Sequence, residues 1–74
     1  MKGEIYTVTT DIVGERVTLI IRARNEAEAT QLAEEIASCA TMTYLNDVGV
    51  PIGRPNRLIL QQIVDECRRK VMGR

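Results

Sequence analysis

Residues 16–29, RVTLIIRARNEAEA, decide the fold of this chain. In the first half of the stretch, apolar and polar side chains alternate at every second position, which is typical of a β-strand with one buried face. Asn25 then stands where a helix N-cap is expected, with Glu28 three positions later as in a capping box. Apolar residues recur beyond it at helical spacing, at Ala29, Leu32, Ala33, Ile36, Ala37 and Ala40. The stretch therefore predicts a strand that passes directly into an amphipathic helix.

An alternating run upstream, residues 4–12, predicts the partner strand of a β-hairpin. Gly14 can supply the positive φ that the first central position of a type II′ turn requires, so we place the turn at Gly14-Glu15. This register sets Ile12 opposite Val17 and keeps the apolar residues of both strands on one face. It also sets Thr10 opposite Leu19, Val8 opposite Ile21 and Tyr6 opposite Ala23.

The second half of the chain predicts a loop and a further helix. Residues 51–55, PIGRP, interrupt any strand or helix, and Asn56 is a good N-cap for a helix that runs to about Met72. Between the helices, residues 41–45 are rich in strand-forming side chains and could form a third strand, and residues 48–50 a short fourth. We expect an α+β fold in the order β-β-α-(β-β)-α. In it, a small antiparallel sheet, the N-terminal hairpin plus one or two short strands, packs against two amphipathic helices.

Length and composition limit the class of protein. The chain has 74 residues, 45% of them apolar and only two aromatic, so we expect a single domain over residues 1–74 with an aliphatic core. The formal net charge is zero, which removes the broad attraction to phosphates that most nucleic-acid-binding domains use. No apolar segment has the pattern of a secretion signal or a membrane span, and we expect a cytoplasmic protein.

The residue types argue against catalysis, and we predict that the chain is not an enzyme. It contains no histidine, so acid–base chemistry would fall to carboxylates or to a perturbed lysine. Asp65 and Glu66 are adjacent on a predicted helix, where they point about 100° apart and cannot act as a pair. No glycine-rich phosphate loop is present, and we expect no cofactor and no metal. We interpret Cys39 and Cys67 as buried thiols, with a bridge between the helices as the alternative.

Two surfaces are candidates for protein binding. The outer face of the hairpin would expose Arg16, Ile20, Arg22 and Arg24, a mixture of arginine and apolar side chain that is typical of interfaces, although an ordinary solvated sheet face would look similar. The loop after residue 47 carries Ile52, Arg54 and Arg57, and its prolines lower the entropy cost of holding one shape. Its apolar residues could equally cover the end of the core.

A third candidate is the basic end of the second helix, Arg68, Arg69 and Lys70. Cations in the last turn of a helix compensate its dipole, which is the simpler explanation. The alternative is contact with the phosphates of DNA or RNA. Without aromatic side chains nearby for stacking on bases, recognition of single strands has little support.

The strand hairpin that leads into the Ala- and Glu-rich helix of residues 25–37 resembles, in size and layout, many tiny phage-encoded proteins, including anti-CRISPR inhibitors. The resemblance covers about half of the chain and involves no diagnostic motif. It implies a stoichiometric binder that blocks a host protein complex sterically, without chemistry.

The leading hypothesis is therefore a non-catalytic protein-binding module of phage or mobile-element origin that occludes a surface on a host defence complex such as a CRISPR–Cas effector. One alternative is a small nucleic-acid-binding regulator that uses the arginines of the hairpin and the basic helix end. Another is a homodimeric structural protein joined through a free sheet edge. The sequence does not identify the partner.

Overall fold

A β-hairpin followed by two helices makes up the fold. The computed structural model describes residues 3–73. Strands β1 (Glu4–Ile12) and β2 (Glu15–Ala23) pair in an antiparallel two-stranded sheet, and helices α1 (Glu26–Asp47) and α2 (Arg57–Met72) follow. The predicted small α+β fold is confirmed, in the order β-β-α-α.

The hairpin turn differs from the sequence prediction. The strands are joined by Val13-Gly14, whose φ angles of 53° and 81° are both positive, as a type I′ turn requires. Ile12 therefore faces Glu15, and the predicted pairing of Ile12 with Val17 was wrong by two residues along the whole ladder. A shift by two preserves the face of every side chain, so the predicted apolar face is correct. Val13 itself is partly buried against the core, and this packing offsets part of the strain of a β-branched residue at positive φ.

Helix α1 is longer than predicted, and the two extra strands do not exist. Residues 41–45 continue the helix, and residues 48–50 follow its end without forming a strand. Ala40 and Tyr44, four positions apart, are both buried, so the apolar face of the helix continues past Thr41 and Thr43. This burial outweighs the helix-propensity cost of the two threonines, up to ~0.7 kcal/mol each. Gly49, with φ +101°, donates its N–H to the Tyr44 carbonyl at 3.2 Å and terminates the helix.

Both predicted N-caps are confirmed. The Asn25 side chain accepts a hydrogen bond from the backbone N–H of Glu28 at 2.8 Å. The Asn56 side chain accepts bonds from the N–H groups of Leu58 and Ile59 at 3.1 and 3.2 Å. Each cap satisfies amides that the first turn of a helix leaves without partners, which fixes where α1 and α2 begin.

Helix α1 lies at the centre of the molecule. It contacts both strands and α2, whereas within residues 3–73 no Cα of a strand comes within 8 Å of a Cα of α2. The core contains apolar side chains from all four elements and no buried polar residue. Its members are Ile12, Leu19, Ile21, Ala23, Ala29, Ala33, Ile36, Ala40, Tyr44, Leu60, Ile63, Val64, Cys67 and Val71. The small alanines of α1 allow the helix to approach its neighbours closely, as an aliphatic core without Phe or Trp requires.

Candidate protein-binding surface

Exposed apolar side chains concentrate where α1 turns into α2. Of the eight large apolar side chains that are exposed in the described part of the chain, six lie between positions 42 and 58. We call them the apical patch: Met42, Leu45, Val48, Val50, Ile52 and Leu58. Val50 is 82% exposed and Ile52 is fully exposed, so neither covers the end of the core. Large apolar side chains that are exposed close together along a chain are candidates for a binding surface.

The segment that carries the apical patch is held in place by its own polar contacts. The backbone N–H of Asn56 donates a 3.0 Å hydrogen bond to the hydroxyl of Tyr44, which joins the loop to the last turns of α1. Pro55 is buried beside this bond. The Asn56 cap then starts α2, and at the other end of the loop the N–H of Gly49 donates to the Tyr44 carbonyl, so both ends of the loop are anchored. An anchored apolar loop loses less conformational entropy on binding than a mobile one.

Two arginines flank the apical patch. The Nε of Arg54 lies 3.9 Å from Oε1 of Glu15, a buried oxygen that has no hydrogen-bond partner. This contact places the loop beside the hairpin turn, while the Arg54 side chain stays 86% exposed. Arg57 is exposed at the start of α2 and borders a cleft of about 270 Å³ between β2 and α2. Arginine beside exposed apolar side chains is the composition found in protein interfaces.

Part of the surface predicted on the outer face of the hairpin is exposed. Ile20 lies on this face opposite Thr7, and Arg22 lies opposite Ile5, which is exposed as well. Arg16 is also exposed, but its Nε lies 3.7 Å from the Asp11 carboxylate across the hairpin. The remaining pair, Thr9 and Thr18, share a hydrogen bond of 3.3 Å between their hydroxyls. The outer face of the hairpin therefore presents two exposed apolar side chains, Ile5 and Ile20, with one arginine, Arg22, beside them.

Arg24 has a structural role that the sequence analysis did not anticipate. Its Nε and Nη2 donate to Oε2 of Glu28 at 3.0 and 2.8 Å, and its backbone N–H donates to Oε1 at 3.1 Å. These hydrogen bonds lower the pKa of Glu28, and the Glu28 carboxylate in turn raises the pKa of Arg24. Arg24 thus joins the end of β2 to the first turn of α1 and is the least available of the predicted binding arginines.

The basic end of α2 is separate from both surfaces. Arg69 and Lys70 are exposed in its last turn, Arg68 is half-buried, and the antiparallel course of the helices puts all three far from the apical patch. Lys70 shares an open groove of about 650 Å³ with Glu34 on α1, so this end carries charges of both signs. The part of α2 that borders the cleft with the hairpin is its first half, from Arg57 to Val64, whereas this cluster lies in its last turn.

Metal-binding clusters and membrane-spanning helices are both absent from the part of the chain that the structure describes. Within residues 3–73 no three His, Cys, Asp or Glu side chains are placed so that they could hold a metal ion. Neither of the two helices has both the length and the apolar content needed to cross a membrane, as far as the described residues extend.

Sequence reasoning missed three members of the apical patch. Met42 and Leu45 were assigned to a predicted strand, and Leu58 was assigned to the buried stripe of α2. Leu58 is instead 79% exposed. The helical period could have found it, because Leu58 lies two positions, about 200° around the helix, from the buried Leu60.

The chain was also compared with known proteins. No family model, no curated protein and no solved structure matches it. The geometry and the sequence layout of this chain therefore support the proposals that follow.

Proposed function

We propose that this chain is a non-catalytic protein-binding module that presents the apical patch to a larger partner. The observation that carries the proposal is the concentration of six exposed apolar side chains on one anchored segment, with Arg54 and Arg57 beside them. In the bound state the apolar side chains would be removed from water, at about 25 cal/mol per Å² of apolar surface. The two arginines would form the polar rim and favour an acidic partner surface.

The outer face of the hairpin is the second contact in this proposal. Ile5 and Ile20 supply a smaller apolar area, and Arg22 has no carboxylate within ion-pair distance in the described residues. Arg16 and Arg24 contribute less, because each already lies beside a carboxylate of the same chain. We expect substitutions on this face to weaken binding less than substitutions in the apical patch.

The layout that resembles phage-encoded inhibitors supports a narrower proposal about the partner. It would be a host defence complex such as a CRISPR–Cas effector, which the module would block by occupying a working surface in the cytoplasm. The proposed mechanism is steric and requires no cofactor, because the contact surface is made of apolar and arginine side chains. A module of this size would act at one copy per blocked surface.

Paired surface variants test the proposal. Tagged wild-type protein and the double variant Ile52→Asp/Leu58→Asp would be compared in capture from host lysate and in inhibition of a purified CRISPR–Cas effector. We expect the double variant to lose capture and inhibition at least tenfold, because two carboxylates would be buried in the interface. Thr30→Asp, on an exposed position near the other end of α1, is the matched control and should behave as wild type.

Different results separate the competing functions. Equal capture by wild type and the double variant would refute the apical patch as the binding surface. Capture without inhibition of any effector would remove the defence complex as partner and leave the binding module. Salt-dependent binding to generic DNA would support the nucleic-acid regulator. A dimer in light scattering that Ile52→Asp dissociates would assign the patch to a second copy of this chain.

A further inference from the structure

The only two cysteines of the sequence face each other across the interface of α1 and α2. The Sγ of Cys39 lies 2.6 Å from the Sγ of Cys67, about half an ångström beyond the ~2.05 Å of a disulfide bond. Both residues are free thiols in this structure. The packing of α1 against α2 holds the two sulfurs in contact.

The two thiols differ in their access to solvent. Cys39 is half-buried and borders the open groove of about 650 Å³. Cys67 is 1% exposed and belongs to the core, with the Thr43 hydroxyl 4.0 Å from its sulfur. Burial raises the pKa of the Cys67 thiol to about 11, and the neighbouring Cys39 adds to the rise. A reagent from solvent therefore meets Cys39 first, and Cys67 is a poor nucleophile toward anything outside the core.

We propose that Cys39 and Cys67 form an oxidation site at which a peptide disulfide such as oxidised glutathione reacts with Cys39, and Cys67 then closes an intramolecular disulfide. In the first step the Cys39 thiolate attacks one sulfur of the glutathione disulfide, forms a mixed disulfide and releases one glutathione thiolate. In the second step the sulfur of Cys67 attacks Sγ of Cys39 and breaks its bond to glutathione, and the departing glutathione sulfur takes up the Cys67 proton and leaves as the thiol. The two protein thiols lose two electrons, and one glutathione disulfide becomes two glutathione molecules.

The groove beside Cys39 carries charges of both signs. Lys70 offers a cation for a carboxylate of the peptide, and Glu34 and Glu35 line the same groove. The groove is open on one side, so the displaced glutathione can leave after the second step.

Closure of the bond would constrain residues 39–67, a segment that contains the whole apical patch. The unfolded chain would then contain a closed loop with its ends 28 positions apart, which reduces its conformational freedom. We expect the oxidised protein to melt roughly 10 °C above the reduced protein. This inference does not depend on the identity of a partner or on the proposed function.

The test exposes the folded full chain to a series of mixtures of reduced and oxidised glutathione and follows intact mass. Wild type is expected to lose two hydrogens and retain no glutathione. Cys67→Ser should stop at a mixed disulfide with one glutathione, because the second thiol is missing. Cys39→Ser should remain unmodified on the same timescale, because Cys67 is buried. Cys67→Ala repeats the first comparison with a side chain that places no hydroxyl in the core.

Several results would overturn the proposal. One is equal glutathione adduct formation by Cys39→Ser and Cys67→Ser while circular dichroism shows both to be folded. Another is a wild type that keeps its adduct, or that forms covalent dimers on a non-reducing gel in place of the internal bond. A wild type that stays fully reduced in the most oxidising mixture would also refute it. If neither serine variant folds, the order of adduct and disulfide in a wild-type time course decides instead, because the mixed disulfide must precede the internal bond.

Discussion

The hydroxyl of Tyr44 accepts a 3.0 Å hydrogen bond from the backbone N–H of Asn56. The ring of Tyr44 is 2% exposed and fills the core beside α2, while the oxygen at its tip holds the loop that carries the apical patch. One side chain therefore connects the stability of the core to the shape of the proposed binding surface. A phenylalanine at this position would supply the same ring without the contact to the loop.

Tyr44→Phe is therefore expected to lower the free energy of unfolding by ~1–2 kcal/mol, because the N–H of Asn56 loses its partner. Urea denaturation measures the change. Tyr6→Phe is the matched control, since the Tyr6 hydroxyl donates only to an exposed carboxylate, that of Glu4, at 3.1 Å. The control should change stability by less than ~0.5 kcal/mol. Equal losses of stability in both variants would show that the hydrogen bond of Tyr44 contributes no more to stability than that of Tyr6.

The hairpin turn offers a stabilising substitution. Val13 has a φ of 53°, which costs a β-branched residue roughly 1–2 kcal/mol, and Asn-Gly is the preferred pair in a type I′ turn. We expect Val13→Asn to raise the melting temperature by about 2–5 °C after allowance for the lost packing of the valine. Gly14→Ala is the opposite control. Its added Cβ meets no atom within 4 Å, so any loss of stability there comes from the φ of 81° alone. A melting temperature that falls in Val13→Asn would mean that core packing by Val13 outweighs its strain.

Two leucines near the start of α2 separate the core from the apical patch. Leu60 is 3% exposed and Leu58 is 79% exposed, although they lie two positions apart. Leu60→Ala should destabilise the protein by ~2–4 kcal/mol, because it removes buried methyl groups and leaves a cavity. Leu58→Ala should change stability by less than ~0.5 kcal/mol and weaken partner binding. Thermal unfolding of both variants measures these changes in stability. A large loss of stability in Leu58→Ala would show that Leu58 belongs to the core.

The contact between Arg24 and Glu28 predicts a dependence on pH. Hydrogen bonds from the Arg24 side chain, and then from its backbone N–H, lower the pKa of Glu28 below its ordinary value of 4.5. The unfolded state therefore binds the proton more tightly than the folded state. The contribution to stability is full above the ordinary pKa and is lost as the pH falls through the lowered one.

Glu28→Gln should accordingly melt below wild type at pH 7, and the difference should shrink as the pH is lowered below 4.5, the ordinary pKa of glutamate, and through the lowered pKa of Glu28. Glu26→Gln, two positions earlier in the same first turn, controls for the general effect of a negative charge near the start of a helix. A difference for Glu28→Gln that stays constant between pH 7 and pH 3 would show that the carboxylate charge does not carry the interaction.

Local patterns in the sequence predicted most of the fold. Asn25 and Asn56 identified both helix starts, because the capping side chain and the amides that it satisfies are only two or three positions apart. The predicted faces of the hairpin were correct for the same reason, since alternation is a local property. The predicted position of the turn, Gly14-Glu15, was wrong. The turn lies at Val13-Gly14, and its position depends on how Val13 packs against the core, which local patterns do not show.

The continuation of α1 also depends on contacts between distant residues. Residues 41–45 have the composition of a strand, but the burial of Ala40 and Tyr44 favours continuation of the helix through them. Because that segment was misassigned, Met42 and Leu45 of the apical patch could not be predicted. Ile52, Arg54 and Arg57 became candidates because an apolar side chain in a connecting loop is unusual, whatever the surrounding structure. The contact between Arg24 and Glu28 was missed because the capping-box motif pairs Glu28 with Asn25 and makes no prediction for Arg24.

The central position of α1 means that its backbone sets where the hairpin and α2 lie. The hairpin and α2 also meet at their edges, where Glu15 lies 3.9 Å from Arg54 and side chains of β2 and α2 line one cleft. Substitutions at this edge in one element should therefore be energetically coupled to substitutions in the other. In evolutionary terms, a sequence change in the hairpin turn is expected to require a matching change in the loop before α2.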